Sequence, residues 1–346
     1  MDKKYFEIDP VDWCSLVQSE YEALWIESGQ NDKAVKLFKY GNSLNNEDDT
    51  NLYNPSKALK FYKLSADLGY APAMEEYANL ITSEEEGIEQ DIDKAMKLLN
   101  KATDLGYLPA YATLARLYEQ GVIGERNVEK AVELYKVCAN ANDPSSQFAL
   151  ASLLDQDLGK SLEAAFWYSQ AIVGAIGRAA NSLGLMYALG RGEGTIMPES
   201  EPFAIDYFRA LSCFLHAYRL GWKNALTNIA DCYFNGYGIE MNKDIAIEMY
   251  IEASDYDTRA LDMLGGVYLS GEGGVEPNIA KTIDYWTKGA EQGDSDCMLN
   301  LGDIYSGEFG DNHIDLDKAL YWYQRGAELG DEDCQLYIDS HERGEW

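Results

Sequence analysis

The sequence predicts an all-α protein, a solenoid of about eight helix-pair repeats with a capping helix at each end. Three observations predict it. A segment returns about every 36 residues, apolar residues recur at helical spacing inside every copy, and a small residue holds one register of each first helix. Length alone, 346 residues, would allow two or three globules. Eight copies of one unit instead make a single array, in which each helix pair hides its apolar side against its neighbours.

The second helix of each repeat, B, is read from Lys57-Ala58, Lys94-Ala95, Lys130-Ala131 and Lys318-Ala319, with looser copies at Ala164, Ala210, Ala246 and Thr282. Counting from that anchor, apolar or aromatic residues stand at +3 and +4 and small ones at +7, which is one helical face. Ala319, Trp322, Tyr323, Gly326 and Ala327 show the pattern, and Trp167, Trp286 and Trp322 are therefore expected in the core. Position +11 holds Gly69, Gly106, Asn142, Gly221, Gly293 and Gly330, types that tolerate the left-handed conformation ending a helix.

Helix A precedes each B. It carries a large apolar residue, a small one, two variable positions and usually Tyr, as in Leu114-Ala115…Tyr118, Leu264-Gly265…Tyr268 and Leu301-Gly302…Tyr305. The small series runs Gly41, Ala78, Ala115, Ala151, Gly184, Ala230, Gly265, Gly302. Glycine inside a helix costs about 1 kcal/mol relative to alanine, so its return at one register implies close approach of the paired helix backbone. From a B anchor to the next small A residue the distance is 20, once 19, whereas from A to its own B it varies between 13 and 26. The turn between repeats is therefore fixed by stacking, and the loop inside a repeat is free to change.

The ends complete the array. Residues 1–32 are expected to form an N-terminal capping helix around Trp13, Leu16, Val17, Leu24 and Trp25, and residues 33–330 the repeats. Residues 331–346 begin like an A helix, with Cys334 and Ile338 in register, but Asp339 replaces the small residue, so nothing is expected to stack beyond it.

The copies resemble the Sel-one-like repeat, in the tetratricopeptide-repeat-like superfamily. Cys297-Met298-Leu299-Asn300-Leu301-Gly302-Asp303-Ile304-Tyr305-Ser306-Gly307 followed by Lys318 to Gly330 carries the likeness, which covers about Lys33 to Asp339. The resemblance implies a right-handed α-α superhelix whose A helices line the concave surface, and a role as an interaction scaffold. The cysteine-rich secreted branch of the family pairs cysteines within each repeat. The six cysteines here are scattered and read as reduced and buried.

Lys and Arg total 28 against 59 Asp and Glu, a net charge of −31. Such a surface repels phosphate and argues against binding nucleic acid or an anionic membrane. The first residues show no secretory leader and no stretch suits a membrane span, so a cytoplasmic location is expected. Catalytic constellations are poor. His216, His313 and His341 are not gathered with metal ligands, so no cofactor, metal or catalysis is expected. Gly190-Arg191-Gly192, Gly236-Tyr237-Gly238 and Gly271-Glu272-Gly273 follow helices and read as turns rather than phosphate loops. The Asp311–Asp317 run reads as a loop capping the next helix.

With A helices concave, residues three before, one after and four after the small A residue should face the groove. The candidates for partner binding are Asn79, Arg116, Glu119, Asn181 and Leu185, then Asp231, Phe234, Asp262 and Asp303. The fifth copy's extra residues, Gly194 to Pro202, add Thr195, Ile196 and Met197 as a candidate contact loop. No copy carries the Lys and Asn with which tetratricopeptide domains grip a C-terminal carboxylate. The expected function is a non-enzymatic scaffold binding a protein or peptide in the groove, with basic partners favoured by charge. The alternative is a cytoplasmic immunity or inhibitor protein that neutralises a basic toxin.

Overall fold

The computed structural model describes residues 32–46, 53–190, 205–310 and 313–343. Among them every regular element is helical, as the periodicity predicts. The first four pairs are α1 (Asp32–Leu44) with α2 (Pro55–Asp67), α3 (Ala71–Thr82) with α4 (Ile92–Asp104), α5 (Leu108–Gln120) with α6 (Val128–Asn140), and α7 (Pro144–Gln156) with α8 (Ser161–Val173). Then come α9 (Gly177–Leu189), α10 (Tyr207–Arg219), and the pair α11 (Ala225–Asn235) with α12 (Lys243–Ala253). The last are α13 (Thr258–Ser270) with α14 (Ile279–Glu291), α15 (Ser295–Ser306) with α16 (Leu316–Glu328), and α17 (Glu332–Glu342). Odd numbers are A helices and even numbers B. The chain divides into two compact units in the last turn of α9, at Met186, beside the longest A-to-B spacing in the sequence. The segment expected as a C-terminal cap holds α17, which packs against α16, whereas the expected N-terminal cap lies outside the described residues.

Local chemistry starts and stops these helices. Four residues before the B anchor stand Asn54, Asp91, Asn127, Asp206, Asn242, Asn278 and Asp315. Each accepts the backbone N–H three residues on, a side-chain N-cap. The same residue's own N–H is tied to helix A: Asn278 donates to the Tyr268 carbonyl at 2.7 Å and Asp315 to that of Tyr305 at 2.8 Å. Asp315 thus does what its run predicts. At the other end, position +11 takes positive φ at Gly69, Gly106, Asn142, Gly221, Gly293 and Gly330, and also at Ala175. The candidate phosphate loops at Gly236 and Gly271 are turns that open on left-handed helix C-caps; Gly190 is such a cap too, while Arg191 and Gly192 lie outside the described residues.

The small A residue has a different cause from the one its sequence suggests. Where it is glycine at Gly41, Gly265 and Gly302, the atoms nearest to a Cβ belong to the ring at +4 of helix B rather than to its backbone. A Cβ on Gly41 would stand 2.6 Å from Tyr62 Cε1, one on Gly265 2.2 Å from Trp286 Nε1, and one on Gly302 2.2 Å from Tyr323 Cε1. These rings are fully or nearly fully buried. Between repeats, the +7 residue of B meets the next A helix in the same manner: Cβ atoms on Gly289 and Gly326 would each stand 2.4 Å from the sulfur of Cys297 and Cys334. Cysteine therefore sits where its neighbour has no side chain, a steric rather than a redox placement. Trp167 and Trp286 are core residues as expected. Trp322 is only partly buried, with the Arg325 guanidinium over its ring at 5.3 Å.

Two outcomes follow for stability. Gly302→Ala should cost about 1–3 kcal/mol despite alanine's better helix propensity, and Tyr323→Leu should remove most of that cost, a strong coupling in a double-mutant cycle of urea melts. Ala175→Gly, relieving the left-handed alanine, should raise stability by about 0.5–1 kcal/mol in the same melts.

Candidate protein-interaction face

Adjacent A helices share one face through their side chains. In the first unit, Thr113 Oγ1 on α5 donates to Glu75 Oε1 on α3 at 2.7 Å, and Arg116 Nη2 donates to Asn79 Oδ1 at 3.3 Å. In the second, Arg259 on α13 pairs with Asp231 and donates to Asn228 Oδ1 at 2.7 Å, both on α11. Asn300 on α15 donates to Asp262 Oδ1 on α13 at 2.8 Å. Of the expected groove registers, Glu75, Asn79 and Arg116 in the first unit and Asp231 and Asp262 in the second thus take part in contacts between adjacent A helices.

The +4 aromatic of helix B reaches this face from behind. At Gly41, Gly265 and Gly302 the ring crosses the small A residue, and in several copies the polar tip reaches the A-helix side chains. Tyr135 donates to Glu119 Oε2 at 2.8 Å, Tyr250 to Asp231 Oδ1 at 2.6 Å, and Tyr323 to Asp303 Oδ1 at 2.8 Å. Tyr62 meets the Asn45 side chain, and Trp286 Nε1 donates to the Asp262 carbonyl at 3.0 Å. Sequence reasoning placed these rings in the core and missed their second role. The signal was available, since a tyrosine at +4 of B pairs with an acid or amide at +1 or +4 of A. Burial pushes the hydroxyls of Tyr135, Tyr250 and Tyr323 well above the usual range, with their carboxylate partners adding to it, so they stay protonated donors.

The carboxyls are perturbed too. Burial raises Asp231 and Asp303 above the ordinary aspartate value. Asp262 is pushed up to about 6, by burial first and then by the carboxylates of Asp294 and Asp296. Burial also raises Glu75, and together with the charge of Glu75 it lifts Glu76 to about 7.

Of the predicted binding residues, Arg116 is exposed, and Asn79, Glu119, Asn181, Leu185, Asp231, Asp262 and Asp303 are half-buried. Phe234 is a correction. It is 7% exposed and packs in the core with Tyr250, Leu264 and Val267, its ring covered by the Lys243 ammonium at 4.6 Å. A phenyl ring with no polar tip gains by turning inward, where a carboxylate at an equivalent register stays at the surface. Thr195, Ile196 and Met197 lie outside the described residues. Among the described residues no three His, Cys, Asp or Glu side chains could hold a metal, and no helix is long and apolar enough to cross a membrane.

The raised carboxyl of Asp262 gives a signed pH effect. Its folded value lies above the unfolded one, so its contribution is complete below about pH 4 and is lost as pH rises through about 6. Asp262→Asn keeps an acceptor for Asn300 and should be more stable than the parent by about 1–2 kcal/mol near pH 8. Thermal melts near pH 4 should show no difference.

Comparisons with known proteins agree with this architecture. The Sel1 repeat model matches residues 52–70, 71–107, 108–143, 177–213, 223–255, 258–294 and 295–331. It passes over α7 and α8, the shortened fourth copy, which nevertheless forms a helix pair. The crystal structure of a Sel1 repeat protein from Oxalobacter formigenes is similar, with a TM-score of 0.65 and 21% identity over 96% of this chain and 94% of that one. A protective antigen of uropathogenic Escherichia coli strains that displays an SLR fold matches with a TM-score of 0.62 and 21% identity, covering 93% of this chain and 65% of its own. Curated proteins give no match. Repeat matches across more than half of the chain, all but the first (which holds α2 alone) covering an A helix followed by its B helix, make it a member of the Sel1 repeat family.

Proposed function

We propose that this chain is a non-enzymatic scaffold that binds a protein or peptide partner on its A face. Sel1 repeats mediate protein–protein interactions, and membership of that family supports the reading. The observation that carries it is the way the face is held. Glu119, Asp231 and Asp303 are each fixed from behind by a buried tyrosine hydroxyl. A face whose acceptors are already oriented loses less side-chain freedom on binding, and so retains more of its interaction energy. Half-buried Asn79, Asn181 and Leu185 add amide and apolar contacts of the kind that interaction surfaces mix.

Charge favours a basic partner, and the net charge of −31 also supports the second reading, an inhibitor that neutralises a basic toxin. The two differ in kinetics. A toxin inhibitor should associate fast and lose on-rate steeply with salt, whereas a groove-binding scaffold should change mainly in off-rate.

Affinity capture followed by mass spectrometry tests the assignment of the face. Leu185→Arg on the A side should reduce partner recovery by about tenfold or more. Phe166→Arg, an exposed B-helix residue of the same unit, should leave recovery unchanged. Loss with Phe166→Arg and retention with Leu185→Arg would place the partner on the opposite side.

A further inference from the structure

We propose that the A face of α13, α15 and α17 takes an extended segment of the partner that carries basic and apolar side chains. Asp262 and Asp303 are its anchoring carboxylates, and Tyr323 positions one of them. The inference rests on the scaffold reading and adds the chemistry of the partner and the place where it docks.

The charge pattern of this face is unlike that of the other A-face acids. Glu75 has Arg116 nearby and Asp231 is paired with Arg259. Asp262 and Asp303 have no such cation. The charges acting on Asp262 are those of Asp294 and Asp296, and those acting on Asp303 are Glu308 and Asp333, all of one sign. α15 contains no basic residue, and on α17 the basic groups, His341 and the C-cap Arg343, stand at its C-terminal end, away from the register of Leu336. Arg259 on α13 is committed to Asp231 and Asn228. The cations of α14 and α16 are engaged on the B helices or over aromatic rings, with Lys288 on Asp284, Lys281 over Tyr268 and Lys318 over Tyr305. Unlike charge from outside the chain is what this face lacks.

Geometry gives that deficit a binding shape. Asp262 Oδ1 is held by Asn300 and Asp303 Oδ1 by Tyr323, while the Oδ2 atom of each accepts no hydrogen bond among the described residues. Each carboxylate therefore offers one oriented oxygen from a half-buried position, where a cation is attracted more strongly than in open water. Leu299 and Leu336 occupy on α15 and α17 the register that Asp262 holds on α13. Leu299 is half-buried, and Leu336 is 61% exposed. Apolar contacts and carboxylates thus follow one another across three adjacent helices, which suits an extended chain better than a single ion.

Fluorescence anisotropy with three labelled peptides tests this on the full chain: one of Arg and Leu, one of Glu and Leu, one of Ser and Leu. The Arg/Leu peptide should bind, and Asp262→Asn with Asp303→Asn should weaken it about tenfold. Asp244→Asn with Glu248→Gln, two exposed acids on α12, removes the same charge elsewhere and should change it less than about twofold. Tyr323→Phe should weaken the Arg/Leu peptide about threefold and leave the Ser/Leu peptide unaffected. Equal loss in the two charge-matched pairs would reduce the effect to net charge and overturn the proposal. So would tighter binding of the Ser/Leu or Glu/Leu peptide, although either on this face would leave the scaffold reading standing. No binding by any of the three, with Leu185→Arg still abolishing capture, overturns this site alone. Failure of Leu185→Arg overturns the reading beneath it.

Discussion

An aromatic ring laid across a residue with little or no side chain is the contact on which the rest of this protein depends. At Gly41, Gly265 and Gly302 the space a methyl group would need is already filled by Tyr62, Trp286 and Tyr323. A large ring buried against helix backbone gains apolar burial and dispersion contacts that outweigh the helix propensity lost at glycine. Where the ring lies decides how closely A and B approach, and so how much of each repeat's apolar side is left for its neighbour. The contacts between repeats obey the same logic, with Gly289 under Cys297 and Gly326 under Cys334. Those thiols are packing groups. Burial pushes Cys334 up to about 12, which keeps it protonated and unreactive.

This contact also joins stability to recognition. A tyrosine long enough to cross helix A carries its hydroxyl to the far side, and there it meets a carboxylate or amide. Packing therefore orients side chains of the A face: Asp303 is held by the residue that fills the space over Gly302. The same half-burial that orients these acids raises their proton affinity, a cost in stability above neutral pH that a purely structural surface has no reason to carry. Surfaces used for binding retain such local conflicts because removing them would remove the contact chemistry.

The two sides of the helix pairs divide the charge between them. Lysines of the B helices neutralise B-side acids or lie over tyrosines of helix A, as Lys281 and Lys318 do. From α3 onward no A helix contains a lysine. From α3 onward the A helices thus hold more acids than cations, while the B helices are close to balance. Family membership accounts for the helix pairs.

Periodicity by itself determined the helical class, the order of A and B and the turns at position +11, because each depends on spacing along a helix of known pitch. It also marked the small residues, since a glycine repeated inside helices demands a compensating contact. Only the tertiary structure decided what that contact is. Backbone approach and ring insertion leave the same mark in a sequence, and Tyr323 is +4 of its own helix without regard to what lies opposite. Phe234 went the same way: its register is that of a surface residue, but with no polar tip to keep in water it turned into the core beside Tyr250. Partner cations were equally hidden, because Arg259 reaches Asp231 across two helices that lie 28 residues apart in the chain. Spacing shows which way a side chain starts out, whereas its end point is set by the shape and charge of groups brought near only by folding.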